Sequence, residues 1–509
     1  MSDFSKSYEK LLERTKHLAV LNSASAIIQW DMETKMPPKA INLRSQQLAL
    51  LGVIGHRMLT DPAMGNIIME AEKFLASNKT DAEERNILLV KKAYYEATKI
   101  PESLVYETEK QRIVSVGAWK KAKTVKNWES FKPELKKMIE LRAKTAEMLM
   151  EVKDAKNPYD ALIDDFEPKM KAERIGVVFD TMKNGLISIL KKIDKSGIKP
   201  DSNLLSRPIP IESQRLVSEM AMEFVGYDTH SQDAGGRLDE TEHPFTTGYY
   251  DDVRITTHYH VDRWPSSLFS VLHEAGHAIY EQNLPQAWIY QPIGASSSSG
   301  IHESQSRFVE NMIGRSSEFW SYFAPKLKKI VEKPLRGVKK SDLFLAANLV
   351  VPSKIRIEAD EVTYGLHIII RFELERDLFN GKLTADELPH AWNQKYNDYL
   401  GVKIKDDSEG VMQDTHWASG LFGYFPSYAL GNIYGGMFLK KMKRDIPDYR
   451  KNLTVGNFKP VKTWLIENIH QRGNLYDPEE LVKKVTGSNL DVAPFLSYLE
   501  SKYKKLYEY

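Results

Sequence analysis

Cysteine is absent from the 509 residues, which excludes disulfides, thiolate metal ligands and a cysteine nucleophile, and leads us to expect a reducing, cytoplasmic setting. Also missing is any apolar run of about 18 residues, the length that a membrane-spanning helix needs. The first ten residues, Met1 to Lys10, carry charges where a secretory leader would place an apolar stretch. A soluble, non-exported protein without a membrane partner is the expectation. Neither sign of charge is in excess: 71 Lys and Arg face 69 Asp and Glu, so there is no global field of the kind nucleic acid would require. Basic runs such as Lys326-Leu327-Lys328-Lys329 sit among apolar residues at helical spacing and read as solvated helix faces. No Gly/Ser-rich or Pro-rich linker and no repeat with a period of about 20 to 50 residues is present. Length alone would suggest two or three domains, but without such boundaries a single domain over 1–509 is expected.

What the chain does have is helical periodicity. Segments around 4–30, 40–75, 127–150, 170–193, 212–225, 266–283, 300–332, 360–379, 384–400 and 419–443 place apolar residues at i, i+3 and i+4 with charges between them. The stretch from Gly235 to His260 differs, being rich in Gly, Pro, Thr and Tyr, and Val253 to Tyr259 alternates as a strand does. The fold class expected is mainly α with one small sheet. The serine run Ser296 to Ser299 reads as a mobile loop feeding a following helix, or as a plain surface linker.

One pattern carries chemistry. In His273-Glu274-Ala275-Gly276-His277 the two histidines are four apart, so on a helix they share a face and can put two imidazole nitrogens on one metal ion. Leu268, Val271, Leu272, Ala275, Ala278 and Ile279 supply the apolar stripe of that helix, and Trp264-Pro265-Ser266-Ser267 its start. A metal-polarised water with its pKa brought down to about 7 is a nucleophile at neutral pH, and the carboxylate of Glu274 can take its proton and pass it to a leaving amine. Those are the needs of amide hydrolysis, and zinc is the metal expected. The competing reading is a pair of buried histidines bonded to backbone.

Catalytic zinc takes three protein ligands and leaves a position open. A third histidine six residues after the second is ruled out, because position 283 is Asn283. The donor must come from a later segment. Glu303 lies 26 residues beyond His277, with His302, Glu310 and Asp360 as rivals, and spacing does not choose among them.

The motifs taken together resemble the thermostable (Taq-type) carboxypeptidase family of zinc metallocarboxypeptidases. Asp252-Val253-Arg254-Ile255-Thr256 matches its D-x-R-x-T motif, followed by H-E-x-x-H and by His302-Glu303-Ser304-Gln305. Ile355 to Asp360 matches I-R-x-x-A-D, and Gly410 to Trp417 matches G-x-x-Q-D-x-H-W. Trp30-Asp31 with Thr34, Met36 and Pro37, and Tyr159-Asp160 through Glu167-Pro168, are similar to further family stretches. The resemblance implies Glu303 as third ligand, Glu274 as general base, and a single helical lobe with a deep groove, like that of the angiotensin-converting enzyme and neurolysin group. In it roughly the first 150 residues would form one wall or lid, and the chain would be a homodimer. Many two-His-one-Glu peptidases place an aspartate four residues after the glutamate ligand to orient a histidine, whereas this chain has Arg307. Asp360 is the candidate for that orienting acceptor.

Hydrolysis also needs donors for the developing oxyanion. His416 is the first candidate, then Tyr428 ahead of Tyr424, although Tyr is abundant (24) and packing beside Phe422 and Phe425 is the competing role. A C-terminal carboxylate calls for a bidentate arginine. Arg356 is the choice, against an internal ion pair with Glu358 or Asp360. Arg254 and Thr256 are expected on a strand edge, where substrate backbone could add as a further strand. The reaction expected is release of single C-terminal residues with broad side-chain tolerance. An oligopeptidase or dipeptide-releasing enzyme on the same scaffold is the alternative, and a non-catalytic helical binding protein a more distant one. Cobalt suits the same ligands as zinc.

Overall fold

The computed structural model of the chain describes residues 3–73 and 80–509. It is mainly helical, with one three-stranded sheet, and among the described residues no helix is long and apolar enough to cross a membrane. The expected helix over 40–75 is two helices, Ile41–Thr60 and Pro62–Lys73, because Pro62 interrupts backbone hydrogen bonding and starts a new turn; its last two positions, 74 and 75, lie outside the described residues. Two helices that periodicity did not predict follow, Asp81–Lys99 and Glu102–Val125. The first opens on a reciprocal capping box, with Thr80 accepting from the Glu83 backbone and the Glu83 side chain reaching back. The expected span 300–332 is likewise broken, into Ser299–Arg307, a π-helical turn Phe308–Ile313, and Ser317–Ile330.

One continuous hydrophobic core runs from Ala122 to Tyr507, while the N-terminal helices share a small separate core of Leu11, Met64, Ile68, Ala71, Ile87 and Val90. The sheet has strand β1 (Gly236–Glu240), strand β2 (Thr246–Tyr249) and strand β3 (Asp252–Thr257), in the order β1-β3-β2. The strand β3 pairs parallel with β1 and antiparallel with β2. Arg254 and Thr256 therefore sit on the central strand and not on an edge. Their backbone is already paired on both sides, which corrects the expected docking role; β2 is the edge that meets the helix carrying His273, Glu274 and His277.

The helix Trp264–Glu281 starts with Pro265 in its first turn, where a missing N–H costs nothing. Leu268, Val271, Leu272, Ala275, Ala278 and Ile279 are all fully buried, so the apolar stripe faces the core and fixes which way the two histidines point. Gly276 lets a second helix approach: a Cβ there would stand 2.7 Å from Gln305 O and 2.7 Å from Ser306 Cα. That neighbour is the helix Ser299–Arg307, which carries Glu303. On its other flank the helix Phe425–Asp445 presses in at Gly431, where a Cβ would lie 2.9 Å from Glu303 Cβ.

The serine run is not a loose linker. Ser297 and Ser298 are buried, Ser298 Oγ accepts the Ile301 N–H as helix cap, and Ser299 N–H donates to Phe166 O at 2.9 Å. The Gly300 N–H donates to the buried carboxylate of Glu167. A segment whose composition reads as linker is held by burial and by the backbone bonds that Ser299, Gly300 and Ile301 donate.

Candidate metal centre

His273, His277 and Glu303 come together. Their ligating atoms lie within 4.8 Å of one another; Glu303 Oε2 is 3.7 Å from His273 Nε2 and 3.3 Å from His277 Nε2. Two imidazole nitrogens and one carboxylate oxygen converging on a common point suit a divalent ion with coordination positions left over.

The outer nitrogens are held as a metal ligand requires. His273 Nδ1 sits 2.9 Å from Glu310 Oε2, so Nδ1 carries the proton and Nε2 keeps a free lone pair toward Glu303. His277 Nδ1 lies 2.6 Å from His302 Nδ1, and His302 Nε2 lies 2.7 Å from Glu281 Oε1. The consistent proton arrangement runs outward, with His277 donating to His302 and His302 donating to Glu281, which again leaves the inner nitrogen bare. Burial, with the neighbouring His302, pushes His277 down to about 3, so it is a neutral donor at physiological pH.

Arg307 explains the departure at that position. Its Nε is 2.7 Å from Glu303 Oε1, its Nη1 is 3.3 Å from Glu310 Oε2, and its guanidinium lies 4.0 Å from the Tyr364 ring centre. Burial alone would raise Glu303, but Arg307 and the two imidazoles outweigh it and hold the carboxyl well below its ordinary range. The acceptor that orients His273 is Glu310, delivered by the π-helical turn Phe308–Ile313, a distortion common at functional sites. It is not Asp360. That carboxylate accepts the Val351, Val362 and Thr363 backbone N–H groups and the Thr363 hydroxyl, so it serves a turn, neither ligand nor orienting partner. Glu310 and His302, the other rivals for the third position, stand one step out.

Glu274 is buried beside the His273, His277 and Glu303 cluster, and its Oε2 accepts from Thr246 Oγ1 of β2 at 2.6 Å. Burial, opposed by His273 and by Thr246, leaves its pKa above the usual glutamate value, the direction a proton shuttle needs. His416 packs between Tyr424, 5.7 Å away and stacked, and Phe425 at 4.6 Å; Tyr428 Oη is 3.5 Å from His416 Nε2. The other nitrogen, Nδ1, is buried with no protein partner. Burial, helped by Arg356 and Arg371 against Asp414, lowers His416 to about 4, so the ring is neutral.

A family profile described as Carboxypeptidase Taq (M32) metallopeptidase matches residues 10–503. The chain belongs to that family. As such it is a metallocarboxypeptidase, a peptide hydrolase whose family membership implies a divalent metal. It is 41% identical to Thermostable carboxypeptidase 1 of Thermus thermophilus, over 98% of this chain and 99% of that protein. It is 37% identical to Carboxypeptidase 1 of Bacillus subtilis, over 99% of each. The crystal structure of the M32 carboxypeptidase from Deinococcus radiodurans superposes with a TM-score of 0.94 at 33% identity, covering 99% of this chain and 100% of that one. A Pyrococcus furiosus carboxypeptidase structure does so with 0.93 at 33%, over 98% and 99%.

Two arginines of this carboxypeptidase are less free than their motifs suggest. Arg356 is buried, with Nη2 2.8 Å and Nε 3.1 Å from Asp414 Oδ1 and Nη1 3.3 Å from Tyr364 Oη. It is thus in an internal ion pair, though with Asp414 and not with Glu358, which faces Arg263 on the surface, or Asp360. Arg371 Nη2 binds the other Asp414 oxygen at 2.6 Å, so two guanidiniums share one carboxylate and one positive charge is left over. Arg254 is 2.7 Å from Asp252 Oδ1, and its guanidinium lies 4.3 Å from the Trp30 ring centre, with Arg237 4.8 Å from the same ring. It fastens the first helix to the sheet. Thr246, Tyr364 and Glu281 were not singled out by the sequence; each lies outside a recognisable local pattern, and only the fold brings it to the site.

Proposed function

We propose that the enzyme removes single residues from the C-termini of peptides, with His273, His277 and Glu303 holding zinc. The convergence of those three donors, with Glu274 alongside, is the observation that carries the reading. A divalent ion bound there supplies Lewis acidity to water and to the scissile carbonyl, and the two-His-one-carboxylate set is that of catalytic zinc, with cobalt a chemically suitable substitute. Glu274 takes a proton from the attacking water and returns it to the leaving amine, one of its oxygens being steadied by Thr246. The unpartnered Nδ1 of His416 and the hydroxyls of Tyr428 and Tyr424 are the donors available for the developing oxyanion, worth about 3 to 4 kcal/mol for a well-placed group. The uncompensated charge of the Arg356–Arg371–Asp414 cluster supports Arg356 as the attraction for a substrate carboxylate. Arg254, tied to Asp252 and Trp30, takes the role of holding the sheet against the first helix.

The N-terminal helical part, roughly residues 1–150, whose first helices have their own small core, suits one wall or lid of a substrate groove within a single 509-residue domain. Zero cysteine suits a reducing cytoplasm. A homodimer, carried from the family resemblance, is checked by light scattering on the eluted protein. The activity is tested with a blocked peptide ending in a free carboxylate and the same peptide amidated, alongside metal analysis of the purified enzyme. Stepwise loss of single residues from the free acid and little from the amide is expected; equal rates on both would sink the exopeptidase reading.

A further inference from the structure

A cavity of about 780 Å³ opens between the helices Ser317–Ile330, Phe425–Asp445 and Ala493–Tyr507. None of its lining residues belongs to the metal centre, the His416 cluster or the Arg356–Asp414 group. Its volume falls within the range of small-molecule sites, about 300 to 1,000 Å³. Five cationic side chains line it, Lys440, Lys443, Arg450, Lys502 and Lys505, against a single carboxylate, Glu318. Two of the five are already neutralised. Lys502 Nζ is 2.7 Å from Glu361 Oε2, and Arg450 Nε is 3.5 Å from Glu318 Oε1, which engages the one acid of the lining.

Lys440, Lys443 and Lys505 are left, and among the described residues none of them has a carboxylate within ion-pair distance. Burial, together with Arg450 and Lys505 and opposed by Glu318, pushes the Lys443 ammonium below the ordinary lysine value, the direction that desolvation and neighbouring like charges impose. The remainder of the lining sets the rings of Phe344 and Tyr449 beside Met312, Leu439 and Pro494, with the hydroxyls of Ser316, Ser317, Ser497 and Ser501 among them. A cluster of unpaired ammonium groups beside aromatic surface matches a ligand that is anionic at one end and flat and apolar at the other.

We propose that this cavity binds a small phosphorylated ligand with an aromatic body, of the nucleoside phosphate class, its phosphates held by Lys440, Lys443 and Lys505 and its body on the apolar lining with Phe344 and Tyr449. Three cations select a multiply charged phosphate over a lone carboxylate, and the rings give the body its share of the affinity. The site is separate from peptide hydrolysis, so binding itself is the readout.

Calorimetric titration of the full chain with ADP, inorganic pyrophosphate and adenosine, at low salt, tests it. The expectation is one ADP per chain, pyrophosphate weaker, and adenosine weaker than ADP by about ten-fold or more. In the Lys443→Gln/Lys505→Gln variant ADP affinity should fall by about ten-fold or more, while the thermal melting point stays equal or rises as like charges are removed. Absence of saturable ADP binding up to about 5 mM overturns the proposal. So does ADP binding that persists unchanged in the double variant, as binding at the metal centre would, and so does a variant that melts below the parent.

Discussion

Replacing Gly276 by alanine sets two effects of opposite sign against each other. In an isolated helix the change would gain about 1 kcal/mol, since glycine is the poorer helix former. In this helix the new methyl would stand 2.7 Å from Gln305 O, 2.7 Å from Ser306 Cα and 3.1 Å from Gln305 C. All three are backbone atoms, so no side-chain rotation relieves the contact. A comfortable carbon contact is about 3.5 to 4 Å, which leaves a shortfall of about 1 Å. Overpacking of this kind costs about 1 to 3 kcal/mol, so the net loss of stability is only about 0 to 2 kcal/mol. The metal site should respond more steeply. Gly276 adjoins His277, and the packed neighbour carries Glu303, whose Oε2 is 3.3 Å from His277 Nε2 and 3.7 Å from His273 Nε2. Metal–ligand distances tolerate about 0.2 Å, so a parting of about 1 Å should weaken metal binding and kcat/KM by about 100-fold. Melting of the metal-free protein gives the stability change, and competition against a chelator gives the metal affinity. An alanine variant that melts above the parent and holds its metal equally well would refute the close-packing argument.

Glu274→Gln should keep the metal, because the residue is not among the three donors, yet lose about 100-fold or more in kcat; loss of less than half of the activity in a metal-replete sample would remove Glu274 from the chemistry. Glu310→Gln, which weakens the acceptor on His273 Nδ1, should cost about 10- to 100-fold in metal affinity. Asp360→Asn, made in the same assay, should lower the melting temperature and leave metal affinity alone; the reverse ranking would restore Asp360 to the site. The last prediction concerns pH. Burial raises Glu167 to about 7, despite its hydrogen bonds from Gly300 and Tyr434. A folded-state pKa above the unfolded one stabilises the fold at low pH, and that contribution is lost as the pH climbs from about 4.5 towards 7. Stability of the parent relative to Glu167→Gln should therefore fall across that window; a rise measured by denaturant titration at several pH values would contradict the assignment.

Short-range geometry was legible in the chain. The four-residue spacing of His273 and His277, the apolar stripe behind them and Pro265 at the helix start are all features of one helix, and a helix repeats on a scale that a sequence displays directly. Helices broken in mid-pattern were less so. The stripe over 300–332 conceals a π-helical turn at Phe308–Ile313, because a single inserted residue hardly disturbs a hydrophobic count, yet that turn presents Glu310 to His273. The helices Asp81–Lys99 and Glu102–Val125 were missed although the Thr80–Glu83 box marks the first one.

Composition limits, a helix that pairs two histidines with a glutamate and, through motifs in a fixed order, the family of the enzyme could all be read from the chain alone. The sequence could not choose the partners of a charge. Arg356 had Glu358 and Asp360 close at hand in the chain, but it binds Asp414, 58 residues away. His273 is oriented by a glutamate 37 residues on, and Glu274 by a threonine 28 residues back on a neighbouring strand. Nor did alternation in Val253 to Tyr259 reveal that β3 is central in its sheet, since strand order follows from which segments pack together. Local periodicity is fixed by backbone geometry within a few residues, whereas the pairing of buried charges is settled only when helices meet at the distances that residues such as Gly276 and Gly431 allow.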